Sequence, residues 1–297
     1  MLRPVVVGTD GSRESLAAAE WAAQEALRRG LPLHLVHAWE GGTAPDPSEL
    51  PELDAPRDRA RRTLRGAVER LGERFPQIVP TIEQIAGSAP DALVEAGDKA
   101  ELLVLGSRAF SGFGGFMAGS VALATVAHVT RPVVLVRAGR TPEDEHLPDA
   151  ENRPSATTPY RDVVVGVDPA NACDEVLAFA FESAMLRATP LRAVHTWQLP
   201  YVEAAAAARA RRAVRAGTSK ALTAVLRPWR EKFPTVEVHE LAQEGSAGQR
   251  LTDAAKDAGL LVVGRRIRPA RLGTHTGPVT HAVMHRVHCP VAVVPHR

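Results

Sequence analysis

Short apolar runs alternate with helical patterns along the whole chain. In the N-terminal half, runs rich in β-branched and aliphatic residues predict five strands, at 4–8, 33–39, 79–85, 102–106 and 132–137. Apolar residues at helical spacing between these runs predict four helices, at 12–29, 54–73, 90–99 and 120–129. Strands that are apolar on both faces and separated by helices are typical of a parallel sheet covered on both sides. The pattern therefore predicts a doubly wound, Rossmann-like α/β domain.

The C-terminal half repeats this pattern. The run VVVGTD at 5–10 matches VVVGVD at 163–168, which sets an offset of 158 residues, and VHAW at 36–39 matches VHTW at 194–197 at the same offset. Residues 138–159 are rich in proline and acidic side chains and lack periodicity, which predicts a linker. We therefore predict two tandem Rossmann-like domains with five-stranded parallel sheets, at 1–137 and 160–297, joined by the linker 138–159.

Composition and charge exclude several classes of partner. Hydrophobic residues make up 45% and charged residues 24% of the chain, as in soluble globular proteins, and the net charge of +2 gives no global field for nucleic acid or membranes. The first residues enter a strand pattern at once, which leaves no room for a signal peptide. Cys173 and Cys289 are far apart and form no CxxC motif, so we expect two buried structural thiols in a reducing compartment. These features predict a cytoplasmic protein with no nucleic-acid or membrane partner.

A glycine-rich stretch, GSRAFSGFGGFMAGSV at 106–121, separates the fourth predicted strand from the last helix of the first domain. The amides of Ser120 and Val121 would be unpaired donors at the start of that helix, and the helix dipole would favour an anion there. Ser107 and Arg108 would flank the same charge. The stretch therefore predicts a phosphate site. The alternative is a mobile glycine loop with Ser120 as a simple N-cap.

Two further features fall at the same predicted edge of the sheet, where ligands of doubly wound folds bind. Gly8 ends the first strand, and Asp10 follows it. Asp10 could accept a hydrogen bond from a ribose hydroxyl, or it could cap the next helix. Ala38, at the end of the second strand, could present its backbone to an adenine edge.

The segments VVVGTDGS, VHAW, GSAPDALVEA and RPVVLVR, together with the glycine-rich stretch, resemble the universal stress proteins, specifically the tandem two-domain actinobacterial type. The ATP-binding subgroup of that family carries Gly-x-x-Gly, nine residues, and then Gly-Ser or Gly-Thr. This chain keeps the spacing from Gly106 to Gly119-Ser120, with Ala109 in place of the second glycine. The resemblance implies that adenine and ribose would contact Gly8, Asp10 and Ala38. It implies that phosphates would contact Gly106, Ser107, Arg108, Ala109, Gly112, Gly119, Ser120 and Val121.

The second copy departs from this pattern in its glycine-rich stretch. Ile267 replaces the second glycine of the motif, and Pro278 replaces the serine, so one hydroxyl and one amide are lost. Several arginines have appeared there, including Arg268 and Arg271. They could hold phosphates by their side chains, or they could form a solvated surface or dock against the other domain. The candidate nucleotide contacts of this copy are Gly166, Asp168, Thr196, Gly264, Arg265, Arg266, Gly277, Pro278 and Val279.

Two other patterns are weaker. His281 and His285 are four residues apart, with His288 nearby, a spacing that can chelate zinc. There is no HExxH glutamate and no fixed third ligand, so we predict no metal site. The basic helical segment 203–217 could contact nucleic acid, but it lacks stacking aromatic residues, and a solvated face is favoured.

These observations predict an ATP-binding universal stress protein that acts as a nucleotide-dependent stress-response or regulatory module. The sequence leaves the need for Mg²⁺ open. No Walker lysine, Mg²⁺-binding carboxylate pair or nucleophile–base set is visible, so we expect no enzyme. One alternative is a slow ATP-cleaving or adenylyl-transferring enzyme on this scaffold, and another is a nucleotide-free dimerisation module. The predicted last strands, at 132–137 and 290–295, are edge-like, so we expect pairing between the two domains and a possible homodimer.

Overall fold

Apolar strands form the centre of each half of the chain because their side chains are buried on both faces of a parallel sheet. The computed structural model describes residues 2–39, 55–107, 120–199, 204–267 and 276–297. It divides into two units, Met1–Pro142 (unit 1) and Glu143–Arg297 (unit 2). Each unit alternates strands with helices in the predicted order, so the predicted α/β fold class is confirmed.

Unit 1 contains a parallel sheet in the order β3-β2-β1-β4-β5. The reversal of strand order lies between β1 and β4, where a doubly wound sheet opens a crevice. Its elements are β1 (Val5–Gly8), α1 (Arg13–Arg29), β2 (Leu33–Trp39), α2 (Ala55–Arg74), β3 (Thr81–Ala86), α3 (Ala89–Lys99), β4 (Leu102–Ser107), α4 (Ser120–His128) and β5 (Val133–Arg137).

Unit 2 contains the corresponding parallel sheet, in the order β8-β7-β6-β9-β10. The elements are β6 (Val163–Gly166), α5 (Asp174–Arg187), β7 (Leu191–Trp197), α6 (Ala204–Lys232), β8 (Val238–Glu244), α7 (Ala247–Ala254), β9 (Leu260–Arg266), α8 (Pro278–Arg286) and β10 (Val291–His296).

An equivalent histidine–carbonyl contact occurs within each unit. His37 Nδ1 lies 2.5 Å from the carbonyl oxygen of Thr9, and His195 Nδ1 lies 3.0 Å from that of Val167. Each histidine can donate from Nδ1 and so ties the second strand to the chain that leaves the first strand. Both copies of the sequence repeat therefore fold to the same local structure at this edge of the sheet.

The segment after Pro142 packs against the rest of unit 2. Glu145 is buried, and its carboxylate lies 3.7 Å from the guanidinium of Arg187. The amide of Arg161 donates to the Glu145 carbonyl, and His146 pairs with Tyr160 in an antiparallel bridge. Much of the predicted linker 138–159 is thus held by hydrogen bonds. Among the described helices, none is long and apolar enough to cross a membrane.

Candidate ligand-binding cavities

A cavity of about 330 Å³ lies in unit 1 where β1, β2 and β4 end and α4 begins. Residues predicted from three separate parts of the sequence meet in it. Its lining includes the predicted residues Gly8, Asp10, Ala38, Gly106, Ser120 and Val121. Ser107 is buried outside this lining. The other predicted contacts, Arg108, Ala109, Gly112 and Gly119, lie outside the described residues.

The turn from β1 into α1 fixes the carboxylate of Asp10. Its Oδ1 accepts hydrogen bonds from the Ser12 amide at 2.9 Å and the Ser12 hydroxyl at 2.5 Å. Ser12, whose hydroxyl accepts from the Ser15 amide, is the N-cap of α1. Partial burial would raise the pKa of Asp10, but the hydrogen bonds from Ser12 and Ser15 together lower it. The N-cap of α1 is therefore Ser12 and not Asp10. The lowered pKa keeps Asp10 ionised at the edge of the cavity.

The backbone of Ala38 faces the same cavity. The carbonyl of Val36 accepts a hydrogen bond from the Thr9 amide on the β1 side, whereas the carbonyl of Trp39 accepts one from Gly87 on the opposite side. Since backbone groups alternate in direction along a strand, Ala38 directs its N–H and C=O to the β1 side, as Val36 does. Beyond Thr9 the chain turns away into α1, so these two groups have no strand beside them.

Gly106 is needed for close packing. A Cβ at this position would lie 2.5 Å from the Glu14 carbonyl carbon and 2.7 Å from the Ser15 nitrogen. The first turn of α1 therefore packs directly on the end of β4, and only glycine permits this distance. The sequence suggested phosphate contact for Gly106, and the structure adds this packing requirement.

The start of α4 supplies backbone donors. The helix begins at Ser120, so the amides of Ser120 and Val121 lie in its first turn, where no intrahelical acceptor is available. Both residues line the cavity, and Ser120 is exposed. The positive end of the helix dipole is therefore directed at the cavity, as an anion site requires.

Unit 2 has a larger cavity, of about 580 Å³, at the corresponding edge. Arg266 lines it, while its neighbour Arg265 points to the other face of β9 and is buried. Gly277 and Pro278 are described but are not part of the lining, and Arg268 and Arg271 lie outside the described residues. The predicted residues in its lining are Gly166, Asp168, Thr196, Gly264, Arg266 and Val279.

The turn after the first strand differs between the two units. Gly11 of unit 1 has a φ of +82°, but its counterpart in unit 2 is Pro169. Proline is restricted to a φ near −65°, so the turn is rebuilt as a 3₁₀ helix over Pro169–Asn171. Asp168 caps this helix by accepting from the Ala170 amide at 3.1 Å. The following helix, α5, then begins only at Asp174.

The later start of α5 brings a cysteine and a histidine together. Cys173 Sγ lies 3.1 Å from His296 Nδ1, and both residues line the cavity of unit 2. Cys173 is partly exposed, so the expectation of two buried thiols is correct for Cys289 and wrong for Cys173. Burial and, to a smaller extent, Glu175 raise the pKa of Cys173. The sequence did not indicate this pair, whose members are 123 residues apart, although the 158-residue offset aligns them with Ser15 and Ala138.

The histidines of α8 form a pair. His281 Nε2 and His285 Nε2 are 3.3 Å apart. Within the described parts of the chain, no group of three or more His, Cys, Asp or Glu side chains is placed to hold a metal ion.

Comparisons with known proteins agree with the duplicated fold. The model of the universal stress protein family matches residues 1–137 and 159–295. A universal stress protein of Mycobacterium tuberculosis is 30% identical over 302 residues, covering 97% of this chain and 96% of that protein. A crystal structure of a universal stress protein from Archaeoglobus fulgidus matches the fold with a TM-score of 0.66 at 15% identity, covering 98% of each chain. Another, solved from the same organism in complex with dAMP, is 25% identical, covers 45% of this chain and 96% of its own, and has a TM-score of 0.35. The chain belongs to the universal stress protein family.

Proposed function

We propose that unit 1 binds ATP in its cavity and that the chain acts as a nucleotide-dependent stress-response module. The observation that supports this is the convergence of three kinds of group on one cavity. These are a strand-end donor–acceptor pair at Ala38, an ionised carboxylate at Asp10, and the helix-start amides of Ser120 and Val121. They match, in turn, the base, the sugar and the phosphates of a nucleotide.

The base and sugar would lie against β1 and β2. An exposed strand N–H and C=O on the same residue can pair with a neighbouring acceptor and donor on an adenine edge, and Ala38 offers that pair. Asp10 can accept a hydrogen bond from a ribose hydroxyl, because its two bonds from Ser12 occupy one carboxylate oxygen and leave acceptor capacity on the other. Leu93 and Leu105 provide apolar lining beside Gly8.

The phosphates would be held by backbone. The described lining of this cavity contains no Lys, Arg or His, and its charged side chains are Asp10 and Glu14. Phosphate charge would therefore be balanced by the first amides of α4 and its dipole, together with the Ser120 hydroxyl. A divalent cation carried with the phosphates would reduce their repulsion from the two carboxylates. ATP binding should therefore be measured with and without Mg²⁺.

We further propose that this module works by binding and not by rapid catalysis. Around the described part of the cavity, the hydroxyls of Ser12 and Ser15 are engaged in the N-terminal turn of α1. His37, the histidine closest to this turn in the sheet, is directed at the carbonyl of Thr9. The Ser12 hydroxyl that donates to Asp10 is held at the helix start by its bond from the Ser15 amide, and no histidine or lysine lines the described part of the cavity as a general base. A multiple-turnover ATPase assay that gave rates of about 1 per second, as typical enzymes do, would contradict this.

The substitution Ser120→Asp tests the phosphate site. An acidic residue in the first turn of α4 interacts favourably with the positive end of the helix dipole. The variant should therefore fold at least as well as the wild type. Its charge would repel the phosphates, and we expect ATP affinity in equilibrium dialysis to fall about tenfold or more, which corresponds to about 1.4 kcal/mol. Binding of adenosine, which lacks phosphate, should change by less than about twofold.

Two controls complete this test. Ser120→Ala removes only the hydroxyl and should weaken ATP binding less than Ser120→Asp does. Pro278→Asp makes the matched change in unit 2, and ATP binding by unit 1 should not respond to it. Absence of ATP binding by the wild type, or equal binding by Ser120→Asp, would refute the proposal. Native mass spectrometry of the purified protein would show whether a nucleotide copurifies, and in what ratio.

A further inference from the structure

Cys173 and His296 form an accessible thiol–imidazole pair in the cavity of unit 2. The sulfur and Nδ1 are 3.1 Å apart, which is hydrogen-bond distance for sulfur. Both side chains are partly exposed and line the same cavity of about 580 Å³. A histidine next to a cysteine can accept the thiol proton and thereby generate the nucleophilic thiolate.

Unit 1 lacks both members of this pair. At the matching positions it has Ser15 and Ala138. Ser15 is buried within the first turn of α1, whereas Cys173 stands before the first turn of α5 as its N-cap residue and makes no side-chain capping bond. His296 also contacts Gly264, where a Cβ would lie 2.9 Å from the imidazole ring. In unit 1 the same space beside Gly106 is filled by α1. Beside Gly264, unit 2 thus differs from unit 1 both in the path of its backbone and in two side chains.

We propose that Cys173 is a covalent modification site, where a small disulfide forms a mixed disulfide with the protein and His296 serves as the proton acceptor. The thiol proton moves to His296 Nδ1, and the Cys173 sulfur attacks one sulfur of the incoming disulfide. A new S–S bond forms, the old one breaks, and the departing thiolate takes up the proton from His296. Cys173 is oxidised, and half of the incoming disulfide is reduced to a thiol.

The surroundings of the pair make His296 necessary. Burial and then Glu175 have the largest effects and raise the pKa of Cys173, Arg266 lowers it, and Asp168 and Asp174 raise it by smaller amounts. The resting group is therefore a thiol, whose hydrogen bond the Asn171 carbonyl accepts at 3.1 Å, and its deprotonation needs a base. Nδ1 of His296 also lies 3.2 Å from the Arg297 oxygen, which can accept a hydrogen bond from the imidazolium once that has formed.

The modified state would persist because no second thiol can displace the adduct within unit 2. Cys289, the only other cysteine of the chain, is buried just before β10 begins, whereas His296 is the last residue of that strand. At about 3.3 Å per residue, the two ends of the strand are roughly 17 Å apart. Cys289 therefore cannot form a disulfide with Cys173 without unfolding of the sheet.

The cavity favours an incoming disulfide that carries carboxylates. Arg266 lines it close to the pair, and Val279 contributes a helix-start amide at the beginning of α8. Both features attract negative charge, and they are opposed by the carboxylate of Asp168, which also lines the cavity. The volume of the cavity is in the range that accepts a small organic molecule.

The test is treatment of the folded full-length protein with glutathione disulfide, followed by intact mass spectrometry and peptide mapping. We expect one glutathione per chain on Cys173 and none on Cys289. Cys173→Ser, which restores the residue of unit 1, should remain unmodified. His296→Ala, which also restores the residue of unit 1, should retain Cys173 but react at least tenfold more slowly, as expected for loss of a general base.

A second probe tests the charge preference. Cystamine is a disulfide that carries two positive charges. Relative to their rates with a free small thiol, it should react more slowly than glutathione disulfide, and Arg266→Gln should reduce that difference. Modification of Cys289 in place of Cys173, or an unchanged rate in His296→Ala, would overturn the proposal. Because these changes lie in unit 2, neither result depends on whether unit 1 binds ATP.

Discussion

Gly11 and Pro169 occupy the same position in the two copies of the repeat, yet the φ of Gly11 is +82°, a value that proline cannot adopt. In unit 1 this glycine lets the chain turn so that Asp10 reaches Ser12 and α1 starts at once. In unit 2 the proline forces a 3₁₀ helix, and α5 starts later. The two copies therefore differ in this turn and in where the helix after it begins.

The first prediction concerns this turn. Gly11→Pro should destabilise the protein by about 2 kcal/mol, because the required φ is lost and with it the bonds between Asp10 and Ser12. Urea denaturation with unfolding followed by circular dichroism measures the change. Pro169→Gly should destabilise the protein by less than about 1 kcal/mol. Glycine can adopt the backbone conformation of Pro169, so the only cost is the greater conformational freedom of the unfolded chain. Equal losses in the two variants would show that the turns are not specified in this way.

The second prediction compares the glycines beside the two cavities. Gly106→Ala should destabilise unit 1 by about 1–3 kcal/mol, because the new methyl group would overlap the backbone of Glu14 and Ser15. Gly264→Ala would meet the ring of His296, a side chain that can rotate away, and should cost less. The two variants are compared by thermal unfolding. A larger loss for Gly264→Ala would contradict the packing argument.

The third prediction is a pH dependence from Asp10. Its pKa in the folded protein is lower than the ordinary value of 3.8, so the ionised form is favoured in the native state. The corresponding stabilisation is fully present above the ordinary pKa of 3.8, and it is lost as the pH falls through the lower pKa of the folded protein. The stability difference between wild type and Asp10→Asn should therefore be constant near neutral pH and shrink below about pH 4. Denaturation series at several pH values measure it, and a difference that grew on acidification would have the wrong sign.

The fourth prediction concerns the C-termini of α1 and α5. Both end in a residue with left-handed backbone conformation, Gly30 with a φ of +62° and Ala188 with a φ of +47°. A Cβ is unfavourable in this conformation by about 1 kcal/mol. Ala188→Gly should therefore stabilise the protein by roughly 0.5–1 kcal/mol, and the reciprocal change Gly30→Ala should destabilise it by about as much. Melting temperatures should shift in opposite directions in the two variants, and shifts in the same direction would contradict the prediction.

The sequence by itself predicted the duplicated α/β architecture and the sheet edge at which the candidate site lies. This was possible because apolar periodicity and the constant repeat offset are local features of the chain, and parallel strands bring their carboxyl ends to one edge. Most strand and helix ends agree to within one or two residues. The third strand begins at Thr81 and not at Val79, because Pro80 cannot donate to the ladder and Val79 is 90% exposed.

Only the tertiary structure decided which side chains meet. Arg265 and Arg266 are neighbours in sequence, but the alternation of β9 buries the first and turns the second toward the cavity. Gly106 proved to be a contact site for the backbone of α1. Cys173 meets His296 only because a turn delays α5 and β10 ends beside it. Such contacts depend on distances between elements far apart in the chain, which the periodicity of a single element does not contain.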